Sequence, residues 1–166
     1  MEHREFFFFE WVVIDNCNLD CSYCVNKGEF SQKPDEKMEY VAGLEIGIAE
    51  KIVELSKSAD RVFVNLTGGE PLLAKDFIPA LQVLTKAPNV TIQLISNLRL
   101  LEKMQTAIEP LSASLNIAGS LHIAYRNDKE VERLITLINR CGSKLKISLS
   151  QVDHNLTAED KKSFPA

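Results

Sequence analysis

Apolar residues cluster in five short stretches of this chain, and between those stretches they recur every three or four positions. Around Trp11 to Asp15 the run Trp-Val-Val-Ile predicts a buried strand. Val62, Phe63, Val64 and Leu66 predict a second, Val90 to Ile95 a third and Leu115 to Ile123 a fourth, while alternating Leu145, Ile147 and Leu149 predict a fifth. The segments between them have helical spacing. Val41, Leu44, Ile48, Ile52 and Leu55 predict a long first helix, weakened by Gly43 and Gly47. Ile78, Leu81 and Leu84 mark a second, with Pro71 at its approach, and Leu98 to Ile108 a third that Pro110 closes. The fourth has both ends written in: Asn127 or Asp128 caps it, Val131, Leu134, Ile135 and Ile138 form its apolar face, and Gly142 ends it.

Strands that alternate with helices imply right-handed βαβ units and a parallel sheet. The expected fold class is α/β, a partial (β/α) barrel of about five parallel βα units. After the fifth strand, Thr157-Ala-Glu-Asp160 reads as the capped start of a fifth helix. The expectation is a single domain over residues 1–166, cut short within that helix. No repeat, low-complexity run or linker divides it.

Composition narrows the function classes. With 45% hydrophobic and 25% charged residues, the 166-residue chain can bury a sizeable core. A formal net charge of -4 counts against a general nucleic-acid binder, which needs surplus Lys and Arg to neutralise phosphates. Glu10 interrupts the apolar stretch Phe6–Ile14, and Glu2 and Glu5 precede it, so the start does not read as a signal peptide. No stretch reaches the length of a membrane span. A cytoplasmic, reducing compartment without membrane attachment is expected. The run Phe6 to Phe9 reads as core packing ahead of the first strand, or as an apolar patch for a partner.

Three of the four cysteines, Cys17, Cys21 and Cys24, fall within eight residues, and Cys141 stands apart. Such crowding suits a metal loop better than a disulfide framework. The loop follows the first strand, where parallel β/α folds place ligand-binding loops. Thiolates suit iron–sulfur clusters and zinc alike. Three ligands would leave one iron of a cubane open, whereas a zinc site would need Cys141, His3, His122 or His154 as the fourth. A chance run of buried cysteines is the third reading. Downstream, Thr67-Gly68-Gly69-Glu70-Pro71 ends the second strand. Its glycines let a ligand approach the main chain closely, and Pro71 fits a first helical turn. The segment also reads as a plain strand-to-helix connection, with Glu70 complementing a helix dipole.

The Cys-x3-Cys-x2-Cys spacing, with Tyr23 just before the last cysteine and a Gly-Gly-Glu turn on the next strand, resembles the radical S-adenosylmethionine (radical SAM) superfamily. That resemblance implies a 4Fe-4S cluster on Cys17, Cys21 and Cys24. Its fourth iron would be chelated by the amino and carboxylate groups of S-adenosylmethionine. Tyr23 would lie near the adenine, and Gly68, Gly69 and Glu70 would meet the amino group of the methionine moiety. Ser96 and Asn97, then Ser120 and His122, and Arg126 are similar to family positions that contact ribose or carboxylate. Each is equally a strand-end turn former, a cap or a rim residue.

The sequence departs from the family pattern in three ways: no sixth strand, no glycine-rich adenine-binding pattern on the fifth, and no second cysteine cluster. The implied function is a radical SAM enzyme, or a fragment of one. It would cleave S-adenosylmethionine reductively and generate a 5′-deoxyadenosyl radical for hydrogen abstraction. The substrate would be a peptide, protein or small molecule, and the electron donor a flavodoxin or ferredoxin. The alternatives are a non-enzymatic metal-binding module, holding zinc or an electron-transfer iron–sulfur centre, and a catalytically incomplete remnant. No residue stands out as a catalytic acid, base or radical partner.

Overall fold

The structure is a computed structural model that describes residues 5–24 and 41–151. Five strands, β1 (Phe6–Ile14), β2 (Arg61–Gly68), β3 (Val90–Ser96), β4 (Leu115–Leu121) and β5 (Lys146–Gln151), form one sheet. All neighbouring pairs are parallel and the spatial order is the chain order. Helices α1 (Leu44–Ser56), α2 (Phe77–Leu84), α3 (Leu101–Ile108) and α4 (Asp128–Cys141) fill the connections. This is the expected α/β architecture, a partial barrel of five parallel strands.

Register explains why one face of the sheet carries the core. Trp11, Leu66, Leu94, Ile117 and Ile147 align across all five strands. They share one apolar cluster with helix residues such as Ile52, Leu81, Leu101 and Leu134. Each fully buried Leu or Ile there contributes about 1.5–3 kcal/mol over exposure. One position earlier on every strand, Glu10, Asn65, Gln93, Asn116 and Lys146 are also in register. Because strand side chains alternate, that polar row lies on the opposite face.

Several sequence expectations are corrected. The Phe6–Phe9 run is not a prelude to the first strand but its first half. Phe7 and Phe9 pack on the core, while Phe6 and Phe8 are exposed on the other face, Phe8 stacked on Phe63 at 5.7 Å. Of the predicted buried run only Trp11 is buried, and Val12 is exposed, since the helices supply a core on one face alone. Gly43 does not weaken α1 from within. It caps the helix at φ 78, its N–H donating to Asp76 Oδ2 at 2.8 Å, so Val41 lies outside. Pro71 opens a separate 3-10 turn, Pro71–Leu73, and α2 starts at Phe77.

The third helix begins at Leu101 rather than Leu98, which holds a left-handed φ of 64. Two side chains impose that turn: Ser96 Oγ accepts the Leu98 N–H at 3.0 Å, and Asn97 Oδ1 accepts the Arg99 N–H at 3.0 Å. β4 ends at Leu121, so Ile123 belongs to the 3-10 turn Ile123–Tyr125. In α4 the Asn127 cap is present with a full capping box, Glu130 N–H to Asn127 Oδ1 at 3.0 Å and Asn127 N–H to Glu130 Oε2 at 3.2 Å. The helix buries Leu134, Leu137 and Cys141, whereas Ile135 is 53% exposed. Cys141 is thus a core residue at the end of α4 that leads into the start of β5. The fifth helix expected from Thr157 lies outside the described residues, in which no helix is long and apolar enough to cross a membrane.

Leu94 is fully buried at the centre of the sheet. Leu94→Ala should lower the unfolding free energy by about 2–5 kcal/mol in urea titrations. A loss well below that range would show that the side chain does not bridge sheet and helices.

Candidate functional site

The C-terminal ends of β1 to β4 gather the candidate residues along one rim. At the end of β1 the register shifts between Val12 and Ile14, and the chain turns into the cysteine loop. The Gly68–Gly69 turn then holds that loop by its main chain. Gly69 N–H donates to Ile14 O at 2.6 Å, and Glu70 N–H donates to Asn16 O at 2.9 Å. A Cβ on Gly68 would run into the Ile14 carbonyl, and one on Gly69 into the carbonyls of Asp15 and Asn16. Gly68 also holds φ at 139, which only glycine adopts readily. The close approach at these glycines, expected of a ligand, is made in this structure by the cysteine loop.

Glu70 is fully buried. Its Oε1 accepts from Ser96 Oγ at 2.8 Å and Leu72 N–H at 3.2 Å, and its Oε2 accepts from Asn97 N–H at 2.8 Å. Burial pushes the carboxyl above the ordinary carboxylate range, and those hydrogen bonds with the Arg126 charge pull part of the way back. The carboxylate ties β2 to the end of β3. Asn97, buried beside it, turns its Nδ2 to Asn18 Oδ1 at 2.8 Å and to Cys17 Sγ at 3.7 Å.

The second half of the loop is held by β4 and the turn after it. Cys24 N–H donates to Cys21 O at 3.2 Å, closing a turn. Tyr23 stacks on His122 with centroids 5.8 Å apart, its hydroxyl 2.8 Å from His122 Nδ1, and Tyr125 meets Tyr23 edge-on. The Ser22 N–H donates to Tyr125 Oη at 2.7 Å. Burial, then the neighbouring Cys21, pushes the Tyr23 phenol up to about 12. Burial and then Arg126 push His122 below its ordinary value, which favours the neutral ring. Ser120 follows Asn116 and Ala118 on the face that no described helix covers, half-buried and paired with Ser150.

Two arginines complete the rim. Arg126 donates to the Asn97 carbonyl, and Arg99 donates to Tyr125 O at 2.6 Å and to Glu130 at 3.3 Å. The Nε of each is buried without a partner. Burial, then the charge of Arg99, lowers the Arg126 pKa. Sequence reading missed Asn18, Ser22, Arg99 and Tyr125. Each left a trace only by position: Asn18 and Ser22 lie within the cysteine motif, and Arg99 and Tyr125 lie beside strand-end residues already singled out. A wide hollow at the opposite end of the sheet, lined by Phe6, Arg61, Phe63 and Asn89, holds none of the candidates.

The donor set can now be tested against the metals that the loop could hold. Cys17, Cys21 and Cys24 form no disulfide, and the Cys21 thiol is pushed up by burial first and then by Cys17 and Cys24 nearby. Among the described residues no three His, Cys, Asp or Glu side chains converge on one ion. A cubane takes one thiolate on each iron, so three thiols on one loop suit it by type and number, with one iron left to another ligand. Cys141 belongs to the core, and His3 and His154 lie outside the described residues.

A parallel β/α partial barrel with a three-thiol loop on its C-terminal rim, locked to a glycine turn, defines a cluster-bearing barrel class. The profile of the Radical SAM superfamily matches residues 11–135, and the chain belongs to that superfamily, whose members pair a 4Fe-4S cluster with S-adenosylmethionine. The chain is 34% identical over 82 residues to a GTP 3′,8-cyclase of Mannheimia succiniciproducens, a stretch covering 49% of this chain and 23% of that protein. It is 27% identical over 88 residues to a GTP 3′,8-cyclase of Vibrio atlanticus, covering 53% and 25%. The fold resembles BtrN, solved in complex with AdoMet and 2-DOIA, at TM-score 0.65 and 20% identity, covering 89% of this chain and 57% of that one. The match therefore spans about a quarter of the length of these curated relatives.

Gly69→Ala should spoil the main-chain contact between turn and loop, speeding hydrogen exchange at the Gly69 and Glu70 amides and lowering stability. Unchanged exchange would mean that the two segments do not touch. Glu70 gives a pH test. Because its folded carboxyl titrates above the unfolded value, stability from this group is highest below the ordinary carboxylate range and falls as pH rises through the raised value. Urea titrations across that window should show the slope in the wild-type chain and not in Glu70→Gln. An equal slope in both would assign it to other groups.

Proposed function

We propose that this chain is the cluster-bearing domain of a radical SAM enzyme. Cys17, Cys21 and Cys24 hold a 4Fe-4S cluster in this reading, and S-adenosylmethionine binds along the rim of β2 to β4. The observation that carries it is the main-chain lock between the cysteine loop and the Gly68–Gly69 turn. Two motifs distant in sequence thereby make one surface. When bound, the cluster supplies the electron that splits the sulfonium–carbon bond, giving methionine and a 5′-deoxyadenosyl radical that takes hydrogen from the substrate.

The protein's own residues bind and orient. An ammonium needs acceptors. Both oxygens of Glu70 already accept in-chain donors, so the carbonyls of the Gly68–Gly69 turn offer that role while Glu70 holds the turn in place. A carboxylate suits Arg126, whose buried Nε has no partner, with Ser120 on the adjoining strand end. Tyr23 and Tyr125 provide an aromatic wall for the adenine. Asn97 and His122 border the same surface from the ends of β3 and β4.

The substrate reading follows from the face of the sheet that no described helix covers. Its polar row runs from Glu10 through Asn65, Gln93 and Asn116 to Lys146. Asn65 Nδ2 donates to Glu10 at 3.2 Å, and its Oδ1 is buried without a partner. Such a floor suits a substrate rich in hydrogen-bonding groups, whether peptide, protein or small molecule. A flavodoxin or ferredoxin supplies the electron, in a reducing cytoplasm that keeps the thiols free.

Anaerobic reconstitution tests the reading. The wild-type chain should take up iron and sulfide, change its cluster spectrum on addition of S-adenosylmethionine, and form 5′-deoxyadenosine under a strong reductant. Cys21→Ala should lose the cluster. A spectrum indifferent to S-adenosylmethionine, with no 5′-deoxyadenosine, would leave a non-enzymatic metal module or a remnant without turnover.

A further inference from the structure

Two nitrogen atoms from neighbouring strand ends lie beside two of the three thiols. Asn97 Nδ2 is 3.7 Å from Cys17 Sγ, and His122 Nδ1 is 3.7 Å from Cys21 Sγ. Neither side chain is loosely placed. The Asn97 N–H is on Glu70 Oε2 at 2.8 Å, its carbonyl accepts from Arg126, and its Oδ1 accepts the Arg99 N–H at 3.0 Å. With Oδ1 so occupied, the amide can only turn its NH2 toward the sulfur and Asn18. His122 is fixed by its stack on Tyr23 and by the 2.8 Å contact of its Nδ1 with the phenol; with Nδ1–H donating to the phenol oxygen, the hydroxyl is left to donate to Cys21. The backbone adds a third donor, Leu19 N–H to Cys17 Sγ at 3.4 Å.

We propose that Asn97 directly, and His122 through the Tyr23 hydroxyl that it orients, give the cluster thiolates of Cys17 and Cys21 outer-sphere hydrogen bonds, and that these raise the cluster's reduction potential. This rests on the cluster reading above. A thiolate on iron only accepts, and it is more electron-rich when the cluster is reduced. An N–H or O–H aimed at it therefore stabilises the reduced state more than the oxidised one. Asn97 acts through its amide, and Glu70, which sets the Asn97 backbone, is a positioning residue for Cys17. The Gly-Gly-Glu turn then serves the cluster twice, once through its glycines, which seat the loop, and once through its acid, which aims the donor.

The test is a redox titration of the reconstituted chain, followed by electron paramagnetic resonance, with iron content measured in parallel. His122→Phe keeps a ring against Tyr23 but removes the N–H that turns the Tyr23 hydroxyl toward Cys21, and Asn97→Leu removes the amide. Each should shift the reduction equilibrium toward the oxidised cluster by about tenfold, equivalent to about 59 mV for one electron. His122→Gln, which restores an N–H, should stay near the wild-type midpoint. Should Asn97→Leu fail to fold, His122→Phe and its Gln rescue decide. Wild-type midpoints in both donor-free variants, at full iron content, would overturn the inference. Failure of the wild-type chain to assemble a cluster would instead overturn the cluster reading, and this one with it.

Discussion

The loop that carries the three thiols has no helix or strand of its own, and its position depends on a main-chain contact too close for any Cβ. Gly69 and Glu70 donate their N–H groups to carbonyls of Ile14 and Asn16, which extends the pairing of β1 with β2 past the end of the sheet. Gly68 and Gly69 permit this because no side chain stands between the two backbones. The contact fixes where Cys17 begins. It also turns Glu70 inward, toward the end of β3.

From there the constraint spreads along the rim. A buried carboxylate is costly unless donors surround it, and Ser96, Asn97 and Leu72 supply them. Hydrogen bonds to a charged group contribute about 1.5–3 kcal/mol each, so the two from Ser96 and Asn97 hold the ends of β2 and β3 together more firmly than neutral pairs would. Asn97 passes that order on to Cys17. The other half of the loop relies on a separate anchor, the Tyr23, His122 and Tyr125 cluster after β4. Sequential strand order makes both anchors possible, since it sets the ends of β1 to β4 side by side in an arc.

Most of the fold was legible because its signals are local. Short apolar runs marked β2 and β3, alternation marked β5, and Asn127 with Gly142 marked both ends of α4. Readings failed where a local pattern met a tertiary demand. Leu98 looks helical by spacing, yet Ser96 and Asn97 bend the chain there to aim Asn97 at the site. Ile135 fits the apolar stripe with Leu134, but α4 buries Leu134, Leu137 and Cys141 and leaves Ile135 exposed. Phe6 to Phe9 looks uniformly apolar, and only pairing with β2 sorts it into an inner and an outer face.

By itself the sequence determined the α/β architecture, the three-thiol loop and the glycine turn, because strand and helix periods, turn glycines and ligand spacing are each written within a few consecutive residues. What the tertiary structure alone decided is who meets whom at the rim. Glu70 faces inward to Ser96 and Asn97, Asn97 reaches Cys17 across 80 positions, and His122 reaches Cys21 across 101. Those meetings depend on the register of four parallel strands. A shift of one residue would turn each side chain to the opposite face, and no local window of sequence records that register.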